Sequence, residues 1–134
     1  MNEILKPIPK IDNDSKVFWD GCNDGKLLIQ YCNDCNRYIY YPRICCPHCM
    51  SSNFEWKESN GRGRVYSYTI VRYGAPGFQE DVPYIVALVE LNEGVRMITN
   101  IIDCNLNDIK CDLLVEVDFI KRENVRLPMF RPTK

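Results

Sequence analysis

The sequence predicts a mainly β protein, and three observations carry that prediction. Two Cys-x-x-Cys pairs, Cys32-Asn-Asp-Cys35 and Cys46-Pro-His-Cys49, stand ten residues apart. Several segments beyond residue 60 alternate their side chains with period two, the mark of half-buried strands. No long helical pattern separates those segments. Together they give a short N-terminal helix, a zinc ribbon and a C-terminal Greek-key barrel of the OB type. The expected bounds are 1–13 for an extended arm, 14–60 for the helix plus ribbon and 61–134 for the barrel.

In chain order, residues 1–13 hold Pro7 and Pro9 and no apolar period, so they read as an arm. Ser15 offers an N-cap oxygen, and Val17, Phe18 and Cys22 form an apolar stripe ending before Gly25, which makes a short helix. Trp19 sits beside that stripe, placed either to complete the packing or to face a ligand. The run Leu27 to Tyr31 feeds as a strand into the first cysteine pair. Arg37 to Tyr41 returns from it until Pro42 ends the hairpin. Tyr38, Tyr40 and Tyr41 give the ribbon an aromatic surface that covers its small core or forms an interface.

Each Cys-x-x-Cys puts two thiolates at the tip of a tight turn, and two such turns supply the soft ligands of a tetrahedral, closed structural zinc site. Cys45 doubles the second pair, but only Cys46 has the two-residue spacing to Cys49. His48 lies inside the second turn and reads as a solvated loop histidine. Disulfides would need an oxidising compartment, and MNEILKPIPK lacks the apolar run of a signal peptide. A redox site would show one pair at a helix start within a βαβ pattern. The eight cysteines therefore point to a reducing cytoplasm, with Cys22, Cys104 and Cys111 as small buried hydrophobes. No apolar run approaches the length of a membrane span.

Phe54 and Trp56 alternate with Glu55 and Lys57 as a further strand, which Asn60-Gly61-Arg62-Gly63 breaks. Val65, Ser67, Thr69 and Val71 then oppose Tyr66, Tyr68 and Ile70. Ile85, Ala87, Val89 and Leu91 oppose Tyr84, Val86, Leu88 and Glu90, and this run is apolar on nearly both faces, as a central strand is. A turn at Asn92-Glu93-Gly94 leads into Val95 to Asp103, and Leu113, Val115, Val117 and Phe119 oppose Glu116 and Asp118. Short strands without a long helix hide their edges by closing on themselves, and a small Greek-key barrel does so most simply. Between the first two runs, Tyr73 to Pro83 forms a long loop that exposes Phe78, as binding loops do.

Charge narrows the function. Lys and Arg total 17 against 18 Asp and Glu, whereas a nucleic-acid binder draws affinity from a basic excess. The alternative of a module binding single-stranded nucleic acid rests instead on Tyr66 and Tyr68 as stacking platforms. No catalytic constellation can be assembled around a single histidine and four committed cysteines, so the chain is expected not to be an enzyme. Asp20, Glu80 and Asp103 read as solvated carboxylates.

The order of Phe18-Trp19, Gly25-Lys26-Leu27, the two cysteine pairs, Tyr41-Pro42-Arg43, Gly61-x-Gly63-x-Val65-Tyr66-Ser67-Tyr68-Thr69, Pro83-Tyr84, Leu91-x-x-Gly94 and Phe130-Arg131-Pro132 is specific as a set. It resembles the zinc-ribbon plus OB-fold proteins once called domain of unknown function thirty-five. The resemblance runs from about Phe18 to Pro132. It implies a rubredoxin-like ribbon, binding of acyl-CoA or CoA, and work as a non-catalytic partner of a thiolase, hydroxymethylglutaryl-CoA synthase, lipid-transfer-like thiolase or hydratase. Assembly with further copies of itself stays open. A ligand would then sit between ribbon and barrel, since domain junctions favour extended ligands. Trp19, Phe78, Tyr84 and Arg131 are the expected lining, with Arg131 as the cation for a CoA phosphate.

Overall fold

Phe18, Trp19 and Cys22 recur at helical spacing, and the segment carrying them folds as α1 (Lys16–Asn23). The computed structural model describes residues 11–74, 78, 80–122 and 125–133. Most of the expected arm lies outside the described residues. The buried face of α1 is Phe18, Trp19 and Cys22, while Val17, expected in the stripe, turns to solvent. Ser15 stands at the N-cap but makes no capping bond with its side chain. Its hydroxyl donates instead to Asp12 Oδ1 at 2.9 Å. Gly25, with φ of 78°, turns the chain out of the helix.

The ribbon is a three-stranded antiparallel sheet of β1 (Leu28–Cys32), β2 (Arg37–Ile39) and β3 (Phe54–Glu58), in the order β2-β1-β3. β2 stops at Ile39, short of the expected Tyr41. Its own core is small: Cys32, Ile39 and Cys46. So few apolar groups cannot hold a sheet of this size in water, which is the physical reason for a metal at its tip.

The barrel strands are β4 (Arg62–Val71), β5 (Tyr84–Leu91), β6 (Arg96–Ile101), β7 (Leu114–Arg122) and β8 (Val125–Pro132). They close in the order β4-β5-β6-β8-β7, with β7 returning to β4 through Arg62–Arg64. This is a five-stranded OB barrel. β5 carries ladders on both sides and buries Ile85, Ala87, Val89 and Leu91 in strict alternation. β4 departs from simple alternation. Val65 pairs with Val89 but Ser67 pairs with Leu88, so a bulge at Tyr66 switches the inward face. Of the expected set Val65, Ser67, Thr69 and Val71, only Val65 is fully buried. The expected break at Asn60–Gly63 is shorter too, because β4 already starts at Arg62.

Helix and barrel share one core. Phe18, Trp19, Cys22 and Leu27 join Val65, Val89, Met97, Val115 and Phe130 in a single buried cluster. Burying Phe18 completely contributes about 3 kcal/mol. α1 lies against β8, where Asn23 Oδ1 accepts the Arg126 N–H at 2.9 Å. β6 and β8 run parallel and pair only at Ile101 and Phe130. Beyond that pair a small cavity of about 180 Å³ opens beside the seam, lined by Trp19 and Tyr40 on one side and Met97, Thr99, Leu127 and Pro128 on the other. Among the described residues no helix is long and apolar enough to cross a membrane.

Candidate functional site

The two cysteine turns are built alike. In the first, Asn36 adopts a left-handed φ of 58° and its N–H donates to the Cys32 carbonyl at 2.9 Å. In the second, Met50 has φ of 65° and its N–H donates to the Cys46 carbonyl at 2.8 Å. Each turn thus points two sulfurs the same way. Cys32 Sγ lies 3.5 Å from Cys49 Sγ and Cys35 Sγ lies 3.6 Å from Cys46 Sγ. The four sulfurs lie within 4.8 Å of one another. Zinc–thiolate bonds of about 2.3 Å in a tetrahedron require sulfur separations of about 3.8 Å. The donor set therefore fits zinc in a closed, structural site.

The surroundings act on these thiols in opposite directions. Burial pushes Cys35 up to about 12, with the neighbouring thiols adding to the shift. Burial acts the same way on Cys46, but the His48 and Cys49 N–H groups outweigh it and bring that thiol down to about 7. One easily ionised sulfur gives an incoming cation a first ligand. The His48 ring is turned away from the cluster, its Nδ1 lying 3.1 Å from Arg37 Nη1.

Among the described residues, the four expected to line a ligand groove are not brought together in one. Trp19 is 7% exposed and donates from Nε1 to the Tyr41 hydroxyl at 3.1 Å, so it belongs to the core. Phe78 and Tyr84 do meet, with ring centroids 6.1 Å apart, and the Arg122 guanidinium lies 5.6 Å from the Phe78 ring. Arg131 instead faces Glu116 and Asp118 at 3.5 and 3.9 Å. It lines a cavity with Arg62, Asn92, Leu114 and Thr133. From Glu116, opposite Arg131, to Arg122 near Phe78 is about 20 Å of strand. Tyr66, a candidate stacking platform, already carries the Arg96 guanidinium 3.8 Å from its ring centroid.

Sequence reasoning missed a different cleft at the ribbon–barrel junction. Tyr38, Tyr40, Arg43 and His48 line it from the ribbon, and Val95 and Arg96 line it from the barrel. Arg43 follows Pro42 in an irregular stretch; the Tyr41-Pro42-Arg43 motif marked it as part of the resemblance, but not as the wall of a cleft.

Two family models match, one described as the ChsH2 rubredoxin-like zinc ribbon domain over residues 19–55 and one as the ChsH2 C-terminal OB-fold domain over residues 56–119. The chain is 37% identical over 131 residues to a probable enoyl-CoA hydratase alpha subunit of Thermomonospora curvata, covering 97% of this chain and 41% of that protein. It is 36% identical over 83 residues to a DUF35 domain-containing scaffold protein of Methanocaldococcus jannaschii, covering 60% of this chain and 59% of that one. The chain thus spans less than two thirds of the length of either relative. A solved chain described as Ltp2-ChsH2(DUF35) aldolase matches with a TM-score of 0.83 at 35% identity, over 93% of this chain and 98% of that one.

Proposed function

Because the chain belongs to the ChsH2 (DUF35) family, which joins a rubredoxin-like zinc ribbon to an OB-fold domain, we propose that it is a non-catalytic acyl-CoA-binding scaffold subunit. Its partner is an enzyme of the thiolase or hydroxymethylglutaryl-CoA-synthase type. The observation that carries this reading is the likeness, along nearly the whole chain, to a protein named together with a second one in an aldolase. The scaffold name of one relative and the CoA-thioester name of another support the same reading. Zinc in this subunit is structural, held by Cys32, Cys35, Cys46 and Cys49 with no position left for a reacting water. The chain works in a reducing cytoplasm, where its thiols stay available to the metal.

The test is co-expression with a thiolase-type enzyme from the same genome, followed by size-exclusion chromatography and assay. The expected result is co-elution, acetoacetyl-CoA thiolysis by the complex, and none by the isolated chain with either acetyl-CoA or acetoacetyl-CoA. Sustained thiolysis by the chain alone, or calorimetry showing no affinity for acyl-CoA in chain or complex, overturns the reading.

A further inference from the structure

The junction cleft has a volume of about 400 Å³, within the range of about 300 to 1,000 Å³ usual for small-ligand sites. Its described lining holds Arg43, Arg96 and His48 and no carboxylate. Arg37 stands against His48 and adds a third guanidinium nearby. In a chain whose charges otherwise balance, this makes a locally positive wall. Two acids stand near it, and one of them pairs with a lining arginine. Glu90 takes the Nε–H of Arg96 at 3.0 Å and leaves that guanidinium its terminal N–H groups. Glu93 is bound to the Ser59 hydroxyl and the Asn60 N–H.

The backbone of one lining arginine and the side chain of the other are held in place before any ligand arrives. Gln30, 1% exposed, clamps the Arg43 backbone at two points: its Nε2 donates to the Arg43 carbonyl and its Oε1 accepts the Arg43 N–H, each at 2.8 Å. Arg96 is fixed by Glu90 and by its stacking over Tyr66. Such preorganisation lowers the entropy cost of binding. Guanidinium groups match the oxygen spacing of phosphate, and Tyr38 and Tyr40 offer ring surface to a planar base in the same cleft.

We propose that this cleft binds a phosphomonoester, and that its occupant is the phosphorylated nucleotide end of CoA. The naming of CoA rests on the acyl-CoA reading given above; the anion site rests on the geometry. It places the phosphate contact at Arg43 and Arg96, between ribbon and barrel.

The experiment is calorimetric titration of the zinc-loaded full chain with adenosine 3′,5′-bisphosphate, at low and high salt. Arg43→Ala and Arg96→Ala should each raise Kd about tenfold or more, as loss of a charged hydrogen bond does, and flatten its salt dependence. Arg43→Lys should recover part of the affinity, and Arg126→Ala, which removes a cation elsewhere on the surface, should leave Kd unchanged. Circular dichroism and zinc content confirm that each variant is folded. Equal affinity of the wild type and both alanine variants, no affinity of the wild type for the bisphosphate, or a preference for single-stranded DNA in this cleft overturns the proposal. Acyl-CoA bound with undiminished affinity by both variants overturns the cleft and leaves the acyl-CoA reading standing. Arginine-dependent binding of the bisphosphate without binding of acyl-CoA sustains the anion site and sinks the acyl-CoA reading.

Discussion

Gln30 occupies an interior position on β1 that a leucine would fill with similar volume, yet both ends of its amide are in use. Gln30→Leu keeps the packing but strands the N–H and C=O of Arg43. The expected cost is about 2 to 3 kcal/mol, read from the midpoint of urea unfolding. Cys22 shows the opposite device, a titratable group buried without a partner. Burial pushes its thiol up to about 12 from an ordinary 9.0, and burial also raises the Tyr40 hydroxyl. The folded state thus favours the protonated forms. That stabilisation is complete below about pH 9 and is lost as pH rises from there towards 12. Melting temperature should fall across this window, and less steeply in Cys22→Ala; a flat profile would count against the burial argument. The clamp was not legible in sequence, since a glutamine in a strand looks the same whether or not the fold encloses it, whereas the burial of Cys22 followed from its place in the apolar stripe of α1.

At the scale of elements, the features set by local spacing were the readable ones. The cysteine turns need only their own four residues, and β5 announces itself as an apolar run bounded by Pro83 and the Asn92-Glu93-Gly94 turn. The β4 bulge was not readable, because the extra residue is defined by a partner strand some twenty positions on. β8 was hidden by Pro128 and Pro132. Both are tolerated because β6 meets β8 at one pair only, so most of that side of β8 has no ladder to interrupt. Gly63 sits inside β4 so close to β5 that a Cβ would collide with the Glu90 carbonyl oxygen. Gly63→Ala should therefore destabilise by about 1 to 3 kcal/mol in thermal unfolding. Zinc acts on the other sheet. Chelation should remove amide protection from β1, β2 and the cysteine turns, whose own core is three residues, while β5 and β6 keep theirs. Loss of protection in β5 at the same chelator concentration would show the barrel to be equally metal-dependent.

The whole molecule is tied together from its N-terminal side. An amphipathic helix ahead of a metal ribbon suggests nothing about the barrel, so the sharing of one core by Phe18 and Phe130 was beyond sequence reasoning. Phe18→Ala should destabilise the barrel itself by about 3 to 5 kcal/mol, although residue 18 lies outside it. The measurement is the thermal transition followed in β-sheet dichroism; an unchanged barrel transition would mean that helix and barrel fold independently. The same arrangement separates the residues expected around a ligand: Trp19 is enclosed in the shared core, and the open junction lies on the side of Arg43 and Arg96.

The enclosed indole of Trp19 also gives the protein an optical gauge. Trp19 and Trp56 are its two tryptophans, one enclosed at the meeting point of helix, ribbon and barrel and the other half-buried on β3. With Trp56 replaced by Phe, the remaining emission comes from the junction alone. Its wavelength should move only slightly, through loss of the Tyr41 contact, while metal is withdrawn from the ribbon tip, and far to the red when helix and barrel part, so one cuvette can distinguish the two events.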